Sequence, residues 1–161
     1  WQLPDSQAGS FTASMLIGQA LCNPLFGMLG DRKGHKLGLE LSALLGALAV
    51  GLASLAPTPS YLHAAFALLG ASAAGSFLSG TMIAFEFSAP DVRPTYIGLN
   101  NTVTGIASAI APLIGGWLAG AMGYRVLFFV AFAIGLAGFA VLRWWVCEPR
   151  QALAAMSVEE A

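Results

Sequence analysis

The strongest constraint on this chain is its alternation of long apolar runs with short polar stretches. Each run holds about twenty residues, enough at 1.5 Å per helical residue to cross a hydrocarbon core of roughly 30 Å. Backbone in lipid must satisfy its own hydrogen bonds, so repeated runs of this length select helices. The runs define five spans, at about 10–29, 37–56, 61–87, 96–122 and 126–146. The sharpest interruption is Gly27 to Lys36, which gathers Asp31, Arg32, Lys33, His35 and Lys36 in a sequence that is 57% hydrophobic and 9% charged. So little charge cannot clothe a water-soluble surface. A net charge of -1 leaves no basic stripe for nucleic acid. The expected class is an all-α polytopic membrane protein whose first partner is the lipid bilayer.

Residues 1–9 read as an extracytoplasmic loop leading in, and 151–161 as a polar tail. The first residue is not Met and Trp1-Gln2-Leu3-Pro4-Asp5 lacks the basic flank of a signal peptide, so the first residue reads as a cut end of something longer. Cys22 and Cys147 lack metal-ligand spacing and read as small buried hydrophobes. No metal, no cofactor and no enzymatic chemistry is expected.

The spans differ in polarity. The first carries Ser14, Gln19, Cys22 and Asn23, with Gln19 and Asn23 one helical turn apart on a shared face, and Pro24 predicts a kink beside them. The second has Glu40 in its first turn, where a carboxylate is cheap, and beyond it only Ser42 and Ser54, whose hydroxyls can bond back to their own helix. This helix can therefore face lipid. The third is dense in small residues from Gly70 to Gly80, the mark of close helix packing, with His63 near its entrance as an interfacial residue. The fourth opens on Asn100, Asn101, Thr102 and Thr104, breaks at Pro112, and ends with Gly116 and Gly120 in the G-x-x-x-G spacing of close helix contacts. The fifth is apolar until Arg143, after which Trp144 and Trp145 mark an interface.

Orientation follows from alternate loops. Arg32, Lys33, Lys36, Arg93, Arg143 and Arg150 fall on one side, and Arg125 alone on the other. That bias assigns both charged hinges, at 27–36 and 86–94, and the C-terminus to the cytoplasm.

The pattern Gly27-x-Leu29-x-Asp31-Arg32-x-Gly34-x-Lys36 closely resembles the cytoplasmic hinge signature of the major facilitator superfamily, often called motif A. The chemistry fits the spacing: glycines permit a sharp turn, Asp31 offers a carboxylate, and Arg32 and Lys36 fix positive charge at the membrane face. Glu86 and Arg93, six residues between them, resemble the Glu-x6-Arg pairs of sugar-porter-like members. There the resemblance implies ion pairing with the motif A basic residue, in a cluster of Asp31, Arg32, Glu86 and Arg93. The alternative is that Glu86 and Arg93 simply cap adjacent helix ends. The run from Tyr96-Ile97-Gly98-Leu99-Asn100 through Gly123-Tyr124-Arg125 looks like the family's eleventh helix running into its twelfth. That mapping makes the chain helices eight to twelve of a half-bundle in the C-terminal half. A register of helices two to six stays open, because Ala107, Ala111, Pro112, Gly115 and Gly116 resemble an antiporter signature with Ala for Gly.

The resemblance implies part of a secondary transporter moving a small solute, by drug or metabolite efflux and with proton coupling as an option, through alternating access around a midplane site. Its implied partners are a small-molecule substrate and an N-terminal half outside this chain. Its implied location is the bacterial inner (plasma) membrane. Gln19, Asn23, Asn101 and Thr104 are the candidate cavity-lining residues, and Gly27, Asp31, Arg32, Gly34 and Lys36 the candidate cytoplasmic gate. No span carries a charged side chain at mid-membrane, so a coupling carboxylate would belong to the other half, and this piece alone should not transport. The alternatives are a non-transporting sensor or scaffold of the same fold, a sugar-porter-like uptake protein, and a self-contained bundle that dimerises into a pore.

Overall fold

The computed structural model describes residues 5–86, 88 and 90–146. Its elements are α1 (Asp5–Lys33), α2 (His35–Leu55), α3 (Ser60–Glu86), a single 3-10 turn at Pro90–Val92, α4 (Arg93–Met122) and α5 (Tyr124–Trp144). All five α-helices are long and apolar enough to cross a membrane, and no strand occurs among the described residues.

Four helices begin and end within three residues of the expected spans, but α1 overruns at both ends. It starts at Asp5, inside the segment read as loop, and continues to Lys33. Hydropathy registers only the hydrocarbon slab, whereas a helix continues into the headgroup region wherever its polar residues suit it. Arg32 and Lys33 in the last turn do so, because cations favour the negative end of the helix dipole. The helix runs unbroken past Pro24, as α4 does past Pro112. The tail at 151–161 and Cys147 lie outside the described residues.

Packing is uneven across the bundle. α1 lies along α3, α2 lies between α3 and α5, and α4 meets α5 and, more sparsely, α3. Without a hydrophobic driving force in lipid, close approach depends on small side chains. Gly18 abuts the Ala67 carbonyl and Gly70 the Met15 carbonyl, so a Cβ at either position would overlap backbone. Between α2 and α3, Gly38 opposes Ser79 and Gly46 opposes Ser72. Hydroxyls complete that seam: Ser72 Oγ donates to the Ser42 carbonyl at 2.7 Å, Ser76 Oγ to Ser42 Oγ at 3.1 Å, and Ser42 Oγ to the Leu39 carbonyl at 2.9 Å.

One face of α2 is covered by α3 and α5 and buries Glu40, Ser42, Ala47 and Ala49, while Leu48 stays exposed, so only part of this helix is left to face lipid. Lipid tails and a protein interior are equally apolar, so the composition of a span does not tell which of them surrounds it. An added Cβ at Gly116 or Gly120 would meet no neighbour within 4 Å among the described residues. The tight approach of α5 occurs instead at Gly135, where an added Cβ would lie 2.9 Å from the Ala47 side chain on α2.

Candidate functional site: a charged hinge and a polar cleft

The hinge between α1 and α2 is one residue long. Gly34 has φ 90 and ψ 155, its N–H donates to the Gly30 carbonyl at 2.9 Å, and it is buried. That backbone region is open essentially to glycine alone. Gly27 takes no part in the turn: α1 continues through it, with open space where a side chain would sit. Immediately after the turn, the His35 ring folds against Gly30, where any Cβ would overlap it. His35 is 5% exposed and its Nδ1 has no hydrogen-bond partner among the described residues. Asp31, Arg32 and Lys33 stand exposed on the last turn of α1.

One turn into α2, Glu40 is 4% exposed, and its carboxylate holds two cations. Lys36 Nζ donates to Oε1 at 3.0 Å, while Arg143 Nη1, from the last turn of α5, lies 3.7 Å from Oε2. A carboxylate this buried is tolerable only when paired. The Arg143 contact also fixes geometry, because it brings the hinge and the end of α5 to the same end of the bundle.

Glu86 ends α3 and Arg93 begins α4, so the two flank the short Pro90–Val92 turn. The Arg93 guanidinium sits 5.9 Å from the Phe85 ring centroid, within cation–π range. At the other end of α1, Ser14 Oγ contacts His63 Nδ1 at 2.8 Å and donates to the Ser10 carbonyl at 3.0 Å. A hydroxyl has one proton; with it on Ser10, His63 donates through Nδ1–H. The Phe11 ring packs on this histidine at 4.8 Å.

The second feature is an open cleft of about 720 Å³ between α3 and α4, lined by Ser76, Phe77, Thr81, Asn100, Asn101, Thr104 and Ser108 together with the apolar Leu39 and Ala73. Gly80 and Asn100 are shared with an adjoining apolar pocket of about 420 Å³, formed by Ile83, Ala84, Tyr96, Leu99 and Val103. Asn101 and Thr104, two of the sequence candidates, thus share one wall. Gln19 and Asn23 do not join them: both lie on α1, which has no backbone contact with α4 among the described residues.

The geometry brings forward five side chains outside the candidate gate and cavity sets: Asn100, Ser108, Glu40, Arg143 and His35. Asn100 and Ser108 extend the α4 stripe at positions 100, 104 and 108, a one-face helical spacing that was readable. Lys36 and Glu40 are likewise an i, i+4 pair. Arg143 beside Glu40 and the buried fit of His35 on Gly30 carry no local sequence signal.

Residues 1–159 match the family described as Major Facilitator Superfamily. Similar curated proteins include the multidrug resistance protein MdtG of Proteus mirabilis, 36% identical over 86% of this chain and 34% of that protein. The efflux pump apf11 of Gibberella fujikuroi is 29% identical over 91% of this chain and 26% of its own length. The synaptic vesicle 2-related protein of Bos taurus is 28% identical over 92% of this chain and 27% of its own length. The chain spans about a quarter to a third of the length of such relatives.

Proposed function

Because the chain belongs to the major facilitator superfamily, and so to an integral membrane protein, we propose that it is the C-terminal part of a secondary transporter moving a small solute by alternating access. The observation that carries this reading is the α3–α4 cleft, which interrupts two apolar helices with hydroxyls and carboxamides from Ser76 to Ser108. Its volume falls within the usual range for small-molecule sites. The printed names of two relatives, a multidrug resistance protein and an efflux pump, favour export as the direction.

In this reading the five helices are the eighth to twelfth of the whole transporter, and α4 uses Asn101 and Thr104 to line the solute path. Gln19 and Asn23 are a separate polar patch on α1. Gly27, Asp31, Arg32, Gly34 and Lys36 form a cytoplasmic gate, with Glu86 and Arg93 as its ion-pair partners. The excess of Lys and Arg at that end supports a cytoplasmic hinge and C-terminus, in a bacterial inner membrane. The gate positions helices and does not touch the solute. The rest of the protein supplies the opposing half and any coupling carboxylate.

Reconstituting the full-length protein into proteoliposomes and measuring counterflow against a broad solute panel tests this. Substrate-dependent exchange is the expected result. Correctly inserted protein that exchanges no member of the panel would sink the proposal.

A further inference from the structure

We propose, resting on the transport reading above, that the α3–α4 cleft selects an uncharged solute that donates hydrogen bonds and presents an apolar or aromatic face. Most hydroxyl protons of the cleft wall are already used inside the protein. Thr104 Oγ1 donates to the Asn100 carbonyl at 2.7 Å, and Thr81 Oγ1 to the Phe77 carbonyl at 2.9 Å. Ser76 Oγ donates to Ser42 Oγ at 3.1 Å, and Ser42 has committed its own proton to Leu39.

Each of these hydroxyls has one proton and two lone pairs. With the proton spent inside the protein, what each offers the cleft is an acceptor. The carboxamides of Asn100 and Asn101 add further acceptors and the wall's flexible donors. Phe77 is 77% exposed and forms part of the same lining.

On this wall of the path, none of the described lining residues is Asp, Glu, Lys, Arg or His. A solute anion would meet lone pairs without a cation, and a bare cation would meet no counter-charge in a low-dielectric site; both are costly. An uncharged donor pairs with the hydroxyl oxygens and leaves no buried charge. The wall therefore presents more acceptors than donors and reads the donors on a solute; a solute's own acceptors are met by the asparagine amides and the Ser108 hydroxyl.

The test uses the full-length protein in detergent and three matched probe sets: neutral phenyl glycosides with free hydroxyls, their per-O-methylated counterparts, and carboxylates of similar size. Methylation removes donors and keeps acceptors. The hydroxylated set is expected to raise the melting temperature, and the other two are not. Thr104→Val, close to isosteric, should raise the half-saturating glycoside concentration about fivefold, the loss of roughly one hydrogen bond, while the unliganded protein melts as before. Equal stabilisation by methylated probes, preference for carboxylates, or no shift with any hydroxylated probe would overturn the inference. Carboxylate counterflow unchanged by Thr104→Val would overturn it while leaving transport standing, whereas probe binding with no flux of any solute would overturn transport alone.

Discussion

Glu40 and Arg143 are separated by almost the whole sequence between the hinge and the end of α5, yet their charged atoms lie 3.7 Å apart. With Lys36 at 3.0 Å on the other oxygen, this buried carboxylate ties the motif hinge to the last helix. The two cations are not equivalent, since the Lys36 side chain is 14% exposed and that of Arg143 58%. Lys36→Met should therefore destabilise the full-length protein by about 3 kcal/mol, because it strips a buried carboxylate of its closer partner. Arg143→Gln should cost about 1 kcal/mol or less, as exposed pairs do. Thermal melting of the purified variants checks the order; equal losses would mean the two contacts carry similar weight.

The glycines of the hinge separate in the same assay. Gly34→Ala places a side chain in a backbone region reserved for glycine and should cost about 1–3 kcal/mol. Gly27→Ala adds a methyl to an open helical position and should be neutral or stabilising by up to about 1 kcal/mol. A Gly27→Ala protein that is fully stable yet loses flux would assign this glycine to gating motion; one that is both stable and active would remove it from the gate.

Small residues matter where helices touch and are dispensable where they do not. Gly70→Val drives a Cβ into the Met15 carbonyl, a backbone group that cannot rotate away, and should lower stability by about 2 kcal/mol or more. Gly116→Val meets nothing within 4 Å among the described residues. In the full-length protein its effect measures whether a helix from elsewhere in the polypeptide covers that face: a large loss reports such a contact, and no loss reports lipid.

Ser79 is fully buried, and its hydroxyl has no hydrogen-bond partner among the described residues. Removing an unsatisfied polar atom against Gly38 should be neutral or favourable, so Ser79→Ala is expected to hold or raise the melting temperature, by up to about 1 kcal/mol in stability. A fall of several degrees would reveal a partner for this hydroxyl.

Much of the fold was legible because hydropathy and helix length are tied together by the thickness of the bilayer. The helices after α1 lie within three residues of the expected spans for that reason, and the α1 overrun reflects helix that continues where hydropathy no longer speaks. Which helix faces which was not legible. The polarity of Gln19, Asn23, Asn101 and Thr104 marked all four alike, but only the tertiary arrangement puts Asn101 and Thr104 on one wall and leaves the other two on α1. Glu40 illustrates the same limit at the hinge. Its spacing from Lys36 lies in the local sequence, while its contact with Arg143 exists only once α5 packs on α2.

The central claim is that the α3–α4 cleft is a solute path, and labelling of a cysteine placed in it tests that claim most directly. Thr104→Cys would be introduced into full-length protein with Cys22 and Cys147 replaced by serine, and treated in membrane vesicles with a hydrophilic, membrane-impermeant maleimide. The account expects modification from one face of the membrane, slowed at least severalfold by a transported solute, with Phe129→Cys on the exposed side of α5 unreactive in lipid. A Thr104→Cys protein that remains unmodified from both faces, with or without solute, would contradict it.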